Sequence, residues 1–202
     1  MILFGASGHA KVILDTLEKQ GIKVDFLVDA NREIKTLQSY SVVNQSEYKF
    51  KETDKVIVSI GSNTIRQKIV EKLKVKYGWA IHPSAVLGDD VVIGEGTVVM
   101  AGAVINSSSV IGSHSIINTS ASVDHDCVLG DFVHVSPNAT LCGHVLVGEG
   151  TQIGAGATVI PTLSIGKGAI IGAGTVVLSN IPDYAIVAGN PGRIIKYNDR
   201  EV

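Results

Sequence analysis

The sequence predicts a small α/β domain of the Rossmann-like βαβ type, followed by a parallel β-helix of six-residue repeats. Two observations predict this order. Residues 1–80 alternate apolar runs with amphipathic segments, which is typical of a small parallel sheet with helices. From Ile81 to residue 182, an aliphatic residue opens each of seventeen consecutive hexads without an insertion, which is the signature of a solenoid.

The first domain begins with a strand, a Gly-rich turn and a helix in MILFGASGHAKVILDTLEKQG. We expect Val12, Ile13 and Leu17 on the buried side of that helix. KVDFLVDAN and KVIVSIGSN are predicted to form further strands, and TIRQKIVEKLKVKYG a second helix. This alternation predicts a parallel sheet with a nucleotide-sized crevice at its strand ends.

The turn before the first helix is a candidate phosphate site. Residues Gly5–His9 place backbone N–H groups at a helix N-terminus, where the helix dipole favours an anion. Lys11 adds a positive charge, and Asp29 is placed to hydrogen-bond a base or ribose. Ser7 and Ala10 replace glycines of a full GxGxxG motif, so a tight connection without a ligand is the alternative.

The second domain, residues 81–182, follows the alternation of side chains along a strand. Because successive residues face opposite sides, the aliphatic first position and the small fifth position of each hexad both point inward. Three short strands close a triangular coil of eighteen residues, and stacked coils pair as parallel strands about 4.8 Å apart. The seventeen hexads therefore predict nearly six coils.

Composition excludes several functional classes. The net charge of -2 over 202 residues offers no basic surface for nucleic acid. No apolar run is long enough for a membrane span, and no signal peptide precedes the first strand. We therefore expect a cytoplasmic protein with no nucleic-acid or membrane partner, in which Cys127 and Cys142 are free thiols.

Three of the six histidines lie in SVDHDCVLGDFVHVSPNATLCGHV, residues 122–145. His125 stands beside Asp126, and a carboxylate can hold an imidazole in one tautomer and stabilise its cation. His134 is half a coil away, so the two rings leave opposite sides of the prism and cannot share a site within one chain. The fourth hexad positions predict His114 and His144 to be exposed turn residues.

The whole chain resembles the hexapeptide-repeat sugar acetyltransferases, which include the UDP-4-amino-sugar N-acetyltransferase of bacillosamine synthesis and sialic acid O-acetyltransferases. The motifs that carry the resemblance are GASGH, IGSN, NTSASVDHD, GDFVHVSP and the tail AGNPGRII. The resemblance implies a left-handed β-helix over residues 81–182 and a C-terminal tail over 183–202. It also implies a homotrimer, with acetyl-CoA between neighbouring β-helices and a nucleotide sugar between the front domain and the β-helix.

The resemblance also implies roles for individual residues. It makes His125 the general base, with Asp126 as its partner where the amino-sugar enzyme carries Glu. The residues implied to contact acetyl-CoA are His134, Gly143, Ala155 and Ala173. The residues implied at the nucleotide sugar are Gly8, His9, Asp29, Gly61 and Asn63, to which the residue chemistry adds Lys11.

Within this framework Gly143 lies one coil from His125 and is expected to stack on it. Its missing side chain allows a thioester to approach the backbone N–H. Cys127 is not expected to carry an acyl group, because the fifth hexad position points into the core. We therefore predict direct transfer from acetyl-CoA, without a metal. The acceptor that the resemblance implies is the amino group of a nucleotide-linked 4-amino-deoxy sugar, with UDP as the expected nucleotide.

Three alternatives remain from the sequence. An O-acetyltransferase would act on sialic acid or a glycan hydroxyl, a poorer nucleophile that depends more on the base. A γ-type carbonic anhydrase would need two zinc-binding histidines five residues apart, a spacing that no pair here has. A non-catalytic trimeric scaffold would need no base at all.

Overall fold

The computed structural model describes residues 1–198, which form an α/β sheet followed by a three-faced β-helix. The front domain contains β1 Ile2–Phe4, α1 Gly8–Lys19, β2 Phe26–Asp29, β3 Thr36–Leu37, β4 Tyr40–Asn44, β5 Lys55–Val58, α2 Asn63–Val70 and β6 Lys76–Tyr77. Its strands are ordered β3-β4-β2-β1-β5-β6, and all neighbours are parallel except β3 and β4. The predicted parallel sheet is confirmed.

The two helices differ in detail from the sequence prediction. Ile13 and Leu17 are fully buried, but Val12 is 39% exposed, so its predicted burial is wrong. A step of about 100° per residue turns Val12 to the edge of the apolar stripe. α2 ends at Val70 rather than continuing toward residue 78, because residues 76 and 77 pair with β5 as a strand instead.

The β-helix consists of two-residue strands, apart from the longer β24 Ala185–Ala188 and β25 Arg193–Tyr197 at its end, and these strands form three sheets, here called faces 1, 2 and 3. Neighbouring strands are parallel except β24 and β25, which are antiparallel. Face 1 contains β7 Ala80–Ile81, β10 Val98–Val99, β13 Ile116–Ile117, β16 His134–Val135, β19 Gln152–Ile153, β22 Ile170–Ile171, β24 Ala185–Ala188 and β25 Arg193–Tyr197. Face 2 contains β8 Val86–Leu87, β11 Val104–Ile105, β14 Ser122–Val123, β17 Thr140–Leu141, β20 Thr158–Val159 and β23 Val176–Val177. Face 3 contains β9 Val92–Ile93, β12 Val110–Ile111, β15 Val128–Leu129, β18 Leu146–Val147 and β21 Ser164–Ile165.

The strand register confirms the predicted eighteen-residue coil. Val123 pairs with Leu141, and Leu141 pairs with Val159, each one coil further along the chain. These first-position side chains and fifth-position residues such as Cys127 and Ala139 are fully buried. The solenoid core is therefore the column of inward-facing residues that the hexads predict.

The corners between faces depend on two further hexad positions. The fourth position adopts a left-handed conformation, as at Asp126 and His144, each with φ 58°. The second position is often glycine because the next coil passes close by: a Cβ added to Gly130 would lie 2.8 Å from the Glu149 nitrogen. Together these positions let the chain turn sharply three times per coil.

The three faces have different surroundings. The early strands of face 1 lie under the front domain, where Val98 and Ile116 are buried together with α1 residues. The outer side of face 3 instead carries a stripe of exposed aliphatic side chains, one per coil. This face 3 stripe consists of Val92, Val110, Val128 and Leu146. Within residues 1–198, neither helix has the length and apolar composition needed to span a membrane.

Candidate active site

His125 and Asp126 lie at the corner between faces 2 and 3, opposite face 1. The His125 Nδ1 and Asp126 Oδ2 atoms are 2.7 Å apart, so the carboxylate reaches the ring. Both side chains are about half exposed. Because an ionised carboxylate only accepts hydrogen bonds, Nδ1 carries the proton and donates a hydrogen bond to Asp126. The Nε2 lone pair of His125 is then available to accept a proton.

The charges around His125 favour its basic role. The hydrogen bond to Asp126 raises the pKa of His125 above its usual 6.5, with a smaller contribution from Asp124. Asp124 also accepts hydrogen bonds from the His125 backbone N–H at 2.9 Å and from Asn106 Nδ2 at 2.7 Å. Asp124 therefore fixes the backbone of the residue that carries the imidazole.

Gly143 lies directly against the His125 ring, as the eighteen-residue spacing predicts. A Cβ added to Gly143 would be 2.7 Å from both Cε1 and Nε2 of His125. The Gly143 carbonyl accepts from the Thr162 N–H at 3.0 Å, and no backbone hydrogen bond from the Gly143 N–H is found within residues 1–198. This N–H can therefore bind an oxygen atom that arrives beside the imidazole.

His144 is exposed, as predicted, but it is more than a turn residue. Its Nε2 is 3.7 Å from Asp126 Oδ2, and its ring meets the His125 ring edge-on, with centroids 5.2 Å apart. His144 occupies the same hexad position as Asp126, one coil later, and this register brings the two side chains together.

His134 lies on face 1, away from His125, and contacts the front domain of its own chain. Its ring centroid is 6.4 Å from that of His9. His134 Nε2 is 3.0 Å from Asn118 Nδ2, and a hydrogen bond links the ring to the Gly61 backbone. Burial and the nearby Arg66 charge lower the pKa values of His134 and His9 to about 4. Both rings are therefore neutral at physiological pH.

Arg66 on α2 fixes the junction between the domains, and sequence reasoning missed it. The residue is 1% exposed, and its guanidinium donates only to neutral oxygen atoms. These acceptors are the carbonyls of Ile60, Gly61, His114 and Phe132 and the Oδ1 of Asn63. No carboxylate in the described chain pairs with Arg66, and burial lowers its pKa to about 9. The sequence carries no signal for it, because the acceptors that join the domains, the carbonyls of His114 and Phe132, lie 48 and 66 residues away in the solenoid.

The predicted exposure of His114 is wrong. His114 is 5% exposed, stacked 5.2 Å from the Phe132 ring and edge-on to Tyr77. Burial and Arg66 lower its pKa to about 4. The cause is the front domain, which covers the corner between faces 3 and 1.

The turn at residues 5–9 has the predicted position. α1 begins at Gly8, and Ser7 makes no side-chain capping hydrogen bond to its first turn. Asp29 Oδ2 accepts from the Ala6 N–H at 2.7 Å, so this carboxylate holds the turn. His9 Nε2 is buried without a hydrogen-bond partner, whereas Lys11 is exposed.

Gly61 and Asn63 lie beside this turn but belong to the junction. The Asn63 amide donates to the carbonyls of Gly150 and Thr151 and accepts from Arg66. The backbone of Gly61 makes hydrogen bonds with the Arg66 guanidinium and with the His134 ring. These contacts join the crevice of the front domain to the side of the solenoid.

The predicted acetyl-CoA residues do not meet within one chain. Gly143 is at the corner between faces 2 and 3, whereas Ala155 and Ala173 follow face 1 strands at the corner between faces 1 and 2. His134 is on face 1. One ligand that contacts all four residues would need surfaces from two copies of the chain.

Comparisons with known proteins cover both domains. The family model described as the PglD N-terminal domain matches residues 1–73, and that for the bacterial transferase hexapeptide (six repeats) matches residues 144–179. Perosamine N-acetyltransferase from Caulobacter crescentus, solved with CoA and GDP-perosamine, is 39% identical with a TM-score of 0.89, over 96% of both chains. The chain belongs to the hexapeptide-repeat sugar N-acetyltransferases.

Other members of the hexapeptide-repeat sugar N-acetyltransferases agree with this fold. The acetyltransferase domain of PglB from Neisseria gonorrhoeae FA1090 is 37% identical with a TM-score of 0.90, over 96% of this chain and 98% of that chain. UDP-N-acetylbacillosamine N-acetyltransferase from Bacillus subtilis (strain 168) is 48% identical over 47 residues, which is 22% of each chain. The predicted α/β domain followed by a left-handed parallel β-helix is confirmed.

Proposed function

We propose that this chain transfers the acetyl group of acetyl-CoA to the amino group of a nucleotide-linked 4-amino-deoxy sugar, with His125 as general base. As a member of its family, the chain is an acetyl-CoA-dependent acyltransferase. The observation that carries the base assignment is the 2.7 Å hydrogen bond between His125 Nδ1 and Asp126. It leaves Nε2 of this half-exposed side chain free to accept a proton, beside Gly143.

The proposed chemistry is a direct transfer. The sugar amine attacks the thioester carbonyl carbon, the C–N bond forms, the C–S bond breaks and CoA leaves as the thiolate. His125 Nε2 takes the proton that the nitrogen loses, and Asp126 stabilises the resulting imidazolium. The Gly143 N–H donates to the oxyanion. Cys127 is fully buried, and burial raises the pKa of its thiol, which makes an acyl-cysteine intermediate unfavourable.

The nucleotide sugar is proposed to enter from the crevice of the front domain. The first-turn N–H groups at Gly8 and His9 suit a diphosphate, and Lys11 adds charge nearby. The polar groups of Asp29, Gly61 and Asn63 are engaged within the chain, so we propose that they shape the crevice. We propose UDP as the nucleotide because the matching curated relative acts on a UDP sugar, although the perosamine enzyme was solved with a GDP sugar.

A homotrimer is part of this proposal. The predicted acetyl-CoA residues lie on separate corners and on face 1, so a cleft between two copies is required to bring Gly143 near Ala155, Ala173 and His134. The face 3 stripe borders the His125 corner and is exposed in the single chain. Exposed apolar patches of this kind mark interaction surfaces. The cytoplasmic location stays a prediction.

A thiol-release assay tests the proposal. Purified protein is incubated with acetyl-CoA and UDP-, GDP- or dTDP-linked 4-amino sugars, and with sialic acid as an O-acceptor. Turnover with a nucleotide-linked amino sugar, highest for UDP, is expected. Release with sialic acid alone would overturn the proposed N-acetylation, and preference for another nucleotide would replace UDP.

A further inference from the structure

A second histidine faces the catalytic carboxylate from the next coil. His144 follows Asp126 by one coil at the same left-handed corner position, with φ 58° at both residues. The His144 backbone N–H donates to the His125 carbonyl at 3.0 Å. The ladder of the solenoid therefore holds His144 over the His125–Asp126 pair, independently of any side-chain interaction.

The Asp126 carboxylate lies beside the rings of His125 and His144. Asp126 Oδ2 accepts from His125 at 2.7 Å and faces His144 Nε2 at 3.7 Å. The His144 ring stands perpendicular to that of His125. A half-exposed aspartate would otherwise sample several rotamers in water. The 3.7 Å separation is longer than a hydrogen bond, so the exposed His144 ring would have to rotate to bring Nε2–H within reach of the oxygen that serves His125.

We propose that His144 is a positioning residue for acetyl transfer, because its ring and its Nε2–H hold the Asp126 carboxylate against His125. This inference rests on the proposed role of His125 as base. His144 acts through Asp126, so its loss lowers kcat and leaves the KM values for acetyl-CoA and the sugar nucleotide unchanged. The expected loss is about three- to tenfold, the contribution of one hydrogen bond.

Two variants separate the hydrogen bond from the volume of the side chain. His144→Gln keeps an N–H donor at the reach of Nε2, whereas His144→Leu removes it. We expect kcat near the wild-type value for Gln and the full loss for Leu. Asp90→Leu is the matched control, since Asp90 is an exposed residue with φ 59° at the same corner, three coils before His144. This control shows how much Leu at a left-handed corner lowers kcat when the residue does not face Asp126.

A double-mutant cycle decides whether His144 acts through Asp126. His144→Leu is measured in the wild type and in Asp126→Asn. We expect the loss in kcat to disappear in the Asp126→Asn background. An equal loss in both backgrounds, no loss in either, or a Gln variant as slow as the Leu variant would overturn the inference.

His125→Ala in the same assay separates this test from that of the proposed function. If His125→Ala retains turnover, the proposed base is wrong and the inference fails with it. If His125→Ala loses turnover while His144→Leu keeps it, the inference alone is overturned. Thermal unfolding of each variant shows that the comparison is made on folded protein.

Discussion

The two histidine sites of the solenoid have opposite electrostatic surroundings. His125 is exposed and bonded to a carboxylate, which raises its pKa. His134 is packed under the front domain near the uncompensated charge of Arg66, and its pKa falls to about 4. The same side chain is therefore prepared to take a proton at one site and to stay neutral at the other. The difference comes from what covers each part of the prism, because the hexad repeat is the same.

Removal of the His125 imidazole should have the largest effect on activity. We expect His125→Ala to lower kcat by about 10²- to 10⁴-fold, since the proton acceptor is lost. The affinity for CoA should change little, because the ring is assigned to the proton and not to the CoA arm. Thiol release gives kcat, and calorimetry gives CoA affinity. Ser107→Ala, one coil earlier at the same corner, is the control, and a variant with near-normal turnover would remove His125 as the base.

Disruption of the junction should affect stability and sugar binding. Arg66→Met leaves several buried carbonyls without donors and should lower the free energy of unfolding by about 3 kcal/mol. The loop at residues 60–63 then loses its anchor, so KM for the nucleotide sugar should rise more than KM for acetyl-CoA. Denaturant unfolding and steady-state kinetics measure both effects. Arg66→Lys keeps the charge but not the planar fork, and full stability of either variant would contradict this role.

Neutralisation of Asp126 should change both rate and pH dependence. In the wild type, activity should rise with pH through a midpoint above 6.5, because His125 must lose its proton to act as base. Asp126→Asn removes the anion that stabilises the imidazolium, so the midpoint should move to lower pH, and kcat should fall about tenfold. Asp90→Asn controls for an exposed left-handed corner. An unchanged midpoint would show that the carboxylate does not tune the ring.

Substitution of Gly143 by alanine should lower activity less than the changes above. An added Cβ would displace the His125 ring, which is the free end of a side chain, so Gly143→Ala should cost little stability. We expect kcat to fall about fivefold because the ring leaves its position. Thiol release and thermal unfolding measure the two quantities. A large loss of stability, or no loss of kcat, would contradict the contact.

Local periodicity explains some features of the two histidine sites, and the packing of the front domain explains the others. The hexad repeat predicts the buried columns, the His125–Gly143 stacking and the separation of His125 from His134, because each follows from local periodicity. It predicts neither the burial of His114 nor the role of Arg66. Those depend on where the front domain packs on the solenoid, and the acceptors of Arg66 are 3 to 66 residues away in the chain. The contact of His144 with Asp126 could have been predicted, since the two are one coil apart.

Histidine titration followed by NMR tests the central claim most directly. Protein with labelled imidazole carbons is titrated from pH 8 to pH 4, and the resonances are assigned with His125→Gln and His134→Gln. The His125 ring should gain its proton at a pH above 6.5, while His134 and His9 should stay neutral until about pH 4. A His125 midpoint at or below that of His134 would contradict the assignment of His125 as the base.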